Sequence, residues 1–154
     1  MGDKMNLHKK VEGILYNYKS IKAEINSIKI EIEDIESQYE GISGISYEEK
    51  TGTTNKFNSL VENEIVNKEN MIKRLKKELS KKEALIKKVD NAVETLNETE
   101  RKVIEMKCFE RLQYKYIEQR LSINKDYACE LKRRSIGKMI PLICVREYYQ
   151  EIAQ

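Results

Sequence analysis

The chain has 154 residues, 36% of them charged, a net charge of +3 and a mean hydropathy of −0.69. That length suits one domain or two small ones, and so high a charge content favours long exposed helices over a single compact globule. One Pro, six Gly and no Trp suit helix and argue against a sheet built on many turns.

The charge is unevenly spread. Residues 98–140 hold eleven Lys/Arg against seven Asp/Glu, and residues 66–90 hold nine against four. Residues 31–50 hold one Lys against seven Asp/Glu. The N-terminal MGDKMNLHKK lacks the apolar stretch of a secretion signal. No run approaches the length needed to span a membrane, so the expected location is the cytoplasm. Cys108, Cys129 and Cys144 lie at neither metal-ligand nor redox-motif spacing. They read as buried or half-buried thiols in a reducing compartment.

The first predicted element is a long helix over about 3–40. Its apolar residues are Leu7, Val11, Ile14, Tyr18, Ile21, Ile25, Ile28, Ile32, Ile35 and Tyr39, stepping four and three in unbroken alternation. That is a heptad seam, with Gly13 beside it at a cost of about 1 kcal/mol. His8, with no carboxylate or cysteine partner in the pattern, reads as an exposed surface residue. Residues 41–58, rich in Gly, Ser and Thr, read as a loop. Ser59 and Glu62 have capping-box spacing, so the second helix is expected over 59–96.

Its seam is Val61, Ile65, Lys68, Ile72, Leu75, Leu79, Lys82, Ile86, Val89, Val93 and Leu96. Lysine at Lys68 and Lys82 weakens packing and can set register. The acids Glu31, Glu33, Asp34, Glu36 and Glu40 would face the bases Lys68, Lys73, Arg74, Lys76 and Lys77 if the helices fold back antiparallel. The basic run 73–88 reads as the exposed flank of this coiled-coil hairpin. A lone two-helix seam is marginal, and isoleucine at both core positions favours more than two helices in contact. Two hairpins are therefore expected to associate as a homodimer.

Asn97 and Glu100 have capping-box spacing before a short helix with Val103, Ile104, Met106 and Phe109 on its apolar face. A connector over 110–113 leads to a helix over about 114–121, facing inward through Tyr114, Ile117 and Leu121. Tyr114 and Tyr116 read as core and backbone contacts. Ser122, Ile123 and Asn124 form a turn, with Asn124 capping a helix over about 125–138. Ala128, Leu131 and Ser135 mark its inner face. Such a basic second helix fits the major groove of double-stranded DNA. Lys125, Asp126, Tyr127 and Glu130 are candidates to read bases, and Lys132, Arg133, Arg134 and Lys138 to hold phosphate. Pro141 is placed to open a last short helix over 141–154. No glycine loop, metal cluster or nucleophile–base pair stands out, so neither enzyme chemistry nor a cofactor is expected.

Residues 96–139 resemble region 4 of bacterial sigma factors. Leu96, Glu100-Arg101, Val103-Ile104, Ile117, Leu121 and Ile123 carry the likeness. The layout is similar to the sigma-like transcriptional regulators of phages and prophages in Gram-positive bacteria, which include the ArpU-like late-gene regulators. The resemblance implies an all-α protein that binds DNA and activates late or prophage genes, with RNA polymerase as a possible partner. The segments with which sigma factors bind core polymerase and melt promoters have no counterpart here. Small terminase subunits, which package DNA, also join a helix-turn-helix to oligomerising helices. A coiled-coil adaptor without DNA binding is the remaining alternative.

Overall fold

The computed structural model describes residues 2–43 and 55–153, with side chains over 6–38 and 59–153. The chain is all-α. Its helices are α1 (Gly2–Tyr16), α2 (Tyr18–Ser43), α3 (Asn55–Glu94), α4 (Glu98–Ile104), α5 (Tyr114–Leu121), α6 (Lys125–Ile143) and α7 (Val145–Ile152). A π-helical segment, Glu105–Phe109, follows α4. Most of the expected loop falls outside the described residues. Ser59, expected to cap the second long helix, lies inside it, because α3 begins at Asn55.

The single first helix expected over 3–40 is two helices. Asn17 separates them, its N–H shared between the carbonyls of Gly13 and Ile14 at 3.1 Å each. The Tyr16 carbonyl at this joint takes a partner from far along the chain. The Arg111 guanidinium donates to the Tyr16 carbonyl from Nε at 3.3 Å and Nη2 at 2.8 Å. In a continuous helix that carbonyl would accept from the N–H of Ser20. A side chain inserted into the ladder in this way interrupts a helix, and Gly13 and Asn17 are both weak helix formers.

The chain divides into two compact units, one of Met1–Lys22 with Ala84–Gln154 and one of Ala23–Glu83. The first unit runs on from the end of α3 into the helices that follow it. The reason is packing. Leu7, Val11 and Leu15 of α1 and Val89, Ala92 and Val93 of α3 share one core with Leu96, Ile104, Cys108, Ile136, Met139 and Ile143. Each large aliphatic buried there contributes roughly 1.5–3 kcal/mol. Leu15 lies off the heptad seam yet is fully buried. The Tyr18 ring stacks on Phe109 with centroids 4.2 Å apart, and its hydroxyl donates to Asp90 at 2.6 Å. Burial, with the hydrogen bond to Asp90, pushes the Tyr18 phenol up to about 12.

In the Ala23–Glu83 unit, Ile25, Ile32 and Ile35 of α2 are buried. Val61, Ile65, Ile72, Leu75 and Leu79 of α3 are half-buried. Ion pairs join Glu24 to Lys82 at 2.6 Å, Lys29 to Glu83 at 3.1 Å and Glu36 to Lys76 at 3.5 Å. Low numbers on α2 meet high numbers on α3, the order of antiparallel neighbours. The other seam lysine, Lys68, pairs within its own helix with Glu64 at 3.5 Å. Exposed pairs of this kind are worth under about 1 kcal/mol each.

In the first unit, Asn97 caps α4. Its side-chain oxygen accepts from the Glu100 N–H at 2.9 Å, and the Glu100 carboxylate accepts from the Asn97 N–H at 3.3 Å. The π-helical segment closes with the Glu110 N–H on the Glu105 carbonyl at 2.9 Å. Arg111 then takes a left-handed backbone, φ 55°. α5 has the expected bounds and ends on Ser122, also left-handed at φ 56°. α6 does not stop at 138. It continues through Pro141 to Ile143, and the last helix begins at Val145. Pro141 lies in the final turn, where its missing N–H removes one bond near the helix end. Ile136, Met139 and Ile143, all buried, hold that turn in register.

Candidate nucleic-acid interface

α6 presents two unlike faces. Ala128, Leu131 and Ser135 are buried, as their spacing of three and four implies, and Ile136 and Met139 join them. At the start of the helix the Asn124 side-chain oxygen accepts from the Tyr127 N–H at 2.8 Å, a cap worth about 1 kcal/mol. Lys125 and Asp126 are exposed, and Tyr127 is 46% exposed. These three residues occupy the first turn, the part of a recognition helix that reaches base edges in groove-bound complexes.

One turn further on, Glu130, Arg133 and Arg134 form a charged cluster. The Arg133 guanidinium donates to both Glu130 oxygens, at 2.7 and 3.1 Å. Arg134 Nε lies 3.9 Å from the same carboxylate. The Arg133 hydrogen bond holds the Glu130 carboxyl below its ordinary range. The arginine side chains are 66% and 51% exposed, so neither is walled in. Gly137 lies next along this face, and a Cβ built there meets nothing within 4 Å.

Two of the cations expected to hold phosphate are engaged within the protein, Lys132 half-buried and Lys138 with its side chain still 59% exposed. Lys132 turns inward, 14% exposed, with its ammonium 3.2 Å from the Tyr16 hydroxyl and 3.5 Å from Glu12. Burial opposes its charge, but Tyr16 and Glu12 outweigh that and hold its pKa above the ordinary value. Lys138 donates to both oxygens of Glu100, at 2.8 and 3.1 Å. Glu100 is only 3% exposed, so this lysine neutralises a buried acid. The spacing carried the signal for both. Lys132 is four residues after Ala128 and three before Ser135, and Lys138 is seven after Leu131 and three after Ser135.

Other candidates came from α5, whose inward Tyr114, Ile117 and Leu121 leave Lys115, Tyr116, Gln119 and Arg120 exposed. Lys115 and Arg120 make no ion pair among the described residues. Tyr116, expected with Tyr114 as a core or backbone contact, is 46% exposed, with the Lys115 ammonium 5.7 Å from its ring centre. Tyr114 is half-buried, and burial together with Cys129 pushes its phenol pKa up. His8, expected at the surface, is half-buried with Nε2 3.4 Å from the Arg133 carbonyl oxygen. Burial pushes the Cys108 thiol up to about 12, and Cys144 is raised for the same reason. All three cysteines are free.

No helix among the described residues is long and apolar enough to cross a membrane. No curated protein and no solved structure matches the chain. Residues 7–140 match the model of a family described as protein of unknown function (DUF722), and the chain belongs to that family.

Proposed function

We propose that this protein is a sequence-specific regulator of transcription that binds double-stranded DNA through α5 and α6. The observation that carries the reading is the division of labour on α6. Its inner face is fully occupied by the core, while a capped first turn and two exposed arginines remain outside. A helix entering the major groove needs that outer face, with hydrogen-bonding groups at its start and cations behind them. In this reading Lys125, Asp126 and Tyr127 meet bases, and Arg133 and Arg134 meet phosphates. Lys115 and Arg120 of α5 add phosphate contacts. Glu130 sets the orientation of the Arg133 guanidinium until DNA competes for it. Lys132 and Lys138 hold the fold.

The likeness to sigma region 4 supports a role in activating phage or prophage genes from the cytoplasm, with RNA polymerase as a second partner. The half-buried seam of α3 supports a homodimer through the paired long helices. The deciding experiment selects bound fragments from random DNA at defined salt, then measures affinity against salt for the recovered sequence. Arg133→Ala with Arg134→Ala should lower the log–log slope by about one unit per lost phosphate contact. An unaltered slope rejects the assignment of these two arginines.

A further inference from the structure

The apolar spacing runs through Asn17 without a fault, from Val11 and Ile14 to Tyr18 and Ile21. A single helix would satisfy it, yet the chain is interrupted there. The interruption is shallow. Asn17 still donates to Gly13 at 3.1 Å, and Ile21 still donates to Asn17 at 2.8 Å. Between those two bonds lies the Tyr16 carbonyl, occupied by two nitrogens of Arg111.

Arg111 reaches it from a strained position. Its backbone is left-handed, a conformation that disfavours any residue with a Cβ. The segment before it is π-helical, a rare form that occurs mostly as single-turn bulges. Neighbouring contacts grip the same joint: Phe109 stacks on Tyr18, and Lys132 donates to the Tyr16 hydroxyl. The gain from a charged hydrogen bond and the cost of a left-handed non-glycine residue are of similar size. Arg111 is exposed, so its hold is open to competition from outside the fold.

We propose that Arg111 is a latch. Bound to the Tyr16 carbonyl, it keeps the chain broken at Asn17. Released, it lets residues 2–22 close into the one helix that the heptad spacing describes. The inference does not depend on DNA binding.

The test is amide hydrogen exchange at Ser20 in the full chain, for the unaltered protein and for Arg111→Gly. Glycine adopts the positive φ freely, so the connector keeps its course while the guanidinium is lost. Closure of the ladder pairs Ser20 with Tyr16, so protection at Ser20 should rise about tenfold or more in the variant. Exchange at Ser20 equal to that of the unaltered protein overturns the latch, since the break would then be intrinsic to Gly13 and Asn17. Faster exchange also overturns it, by showing that the guanidinium only supports the docked helix. If near-ultraviolet circular dichroism shows that Arg111→Gly has lost its packing, Arg111→Asn takes its place with the same three outcomes. Asparagine tolerates the left-handed region and cannot span to the Tyr16 carbonyl.

Discussion

Glu100 shows how one buried acid ties three segments together. It closes the cap of α4 on Asn97, accepts from Lys138 of α6, and lies 3.4 Å from the Ser135 hydroxyl. Burial alone would raise its pKa. The bonds from Lys138, Asn97 and Ser135 outweigh burial and bring it below the ordinary value. An acid depressed on folding stabilises the fold above its unfolded pKa of about 4.3 and loses that contribution as pH falls through the lower folded value. Glu100→Gln keeps the shape without the charge. Its urea midpoint should lie below that of the unaltered protein at pH 7, and the gap should close towards pH 3. A gap that stays constant would show that the carboxylate charge adds nothing. On the outer face the same logic applies in reverse. Glu130 bonds Arg133 and lies 3.9 Å from Arg134, so under the proposed function a phosphate would have to displace a carboxylate. Glu130→Gln should therefore tighten binding to unrelated DNA and steepen its salt dependence, as read by fluorescence anisotropy across a salt series.

Helix placement was legible where the signal was local. Asn97 with Glu100, the inward Ile117, and the cap at Asn124 followed by Ala128, Leu131 and Ser135 all stand where spacing put them. The structure departs from that reading where a partner lies far along the chain. Periodicity registers side-chain spacing along one helix and is blind to a guanidinium arriving from 95 residues away to take the Tyr16 carbonyl. Lys132 and Lys138 looked like free cations because Glu12, Tyr16 and Glu100 come from other helices. Pro141 looked like a helix start because it has no N–H to give, but core contacts on either side carry α6 through it. The outward residues of α5 were available from the same spacing that placed Ile117 inside. Asn124 sets the first turn of α6, and its loss acts on the element. Asn124→Ala should lower stability by about 1 kcal/mol, measured by urea unfolding. No change would mean that the first turn holds without its cap.

In the Ala23–Glu83 unit the seam is only partly buried, Ile28 of α2 included. α2 buries Ile25, Ile32 and Ile35, while the α3 seam from Val61 to Leu79 stays half-buried. A single seam between two helices leaves this much apolar surface open, and isoleucine-rich seams favour three or more helices in contact. The unit also holds opposite charges with no ion partner among the described residues: Glu31 and Glu33 on α2, and Lys73, Arg74 and Lys77 on α3. A second copy related by a two-fold axis can cover the seam and pair these charges, which an unrelated partner would have to match by its own sequence. If so, the melting temperature of the unaltered protein rises with its concentration, because only the folded state associates. Leu79→Glu places a charge on the seam and should give a single chain by sedimentation, with a melting temperature independent of concentration. Lys68→Leu removes a polar seam residue and should tighten association. An unaltered protein that sediments as one chain at every concentration, with a constant melting temperature, removes the dimer from the functional reading. A ring of many chains moves the reading instead towards DNA packaging, since a groove-reading regulator needs only two copies to match a two-fold site.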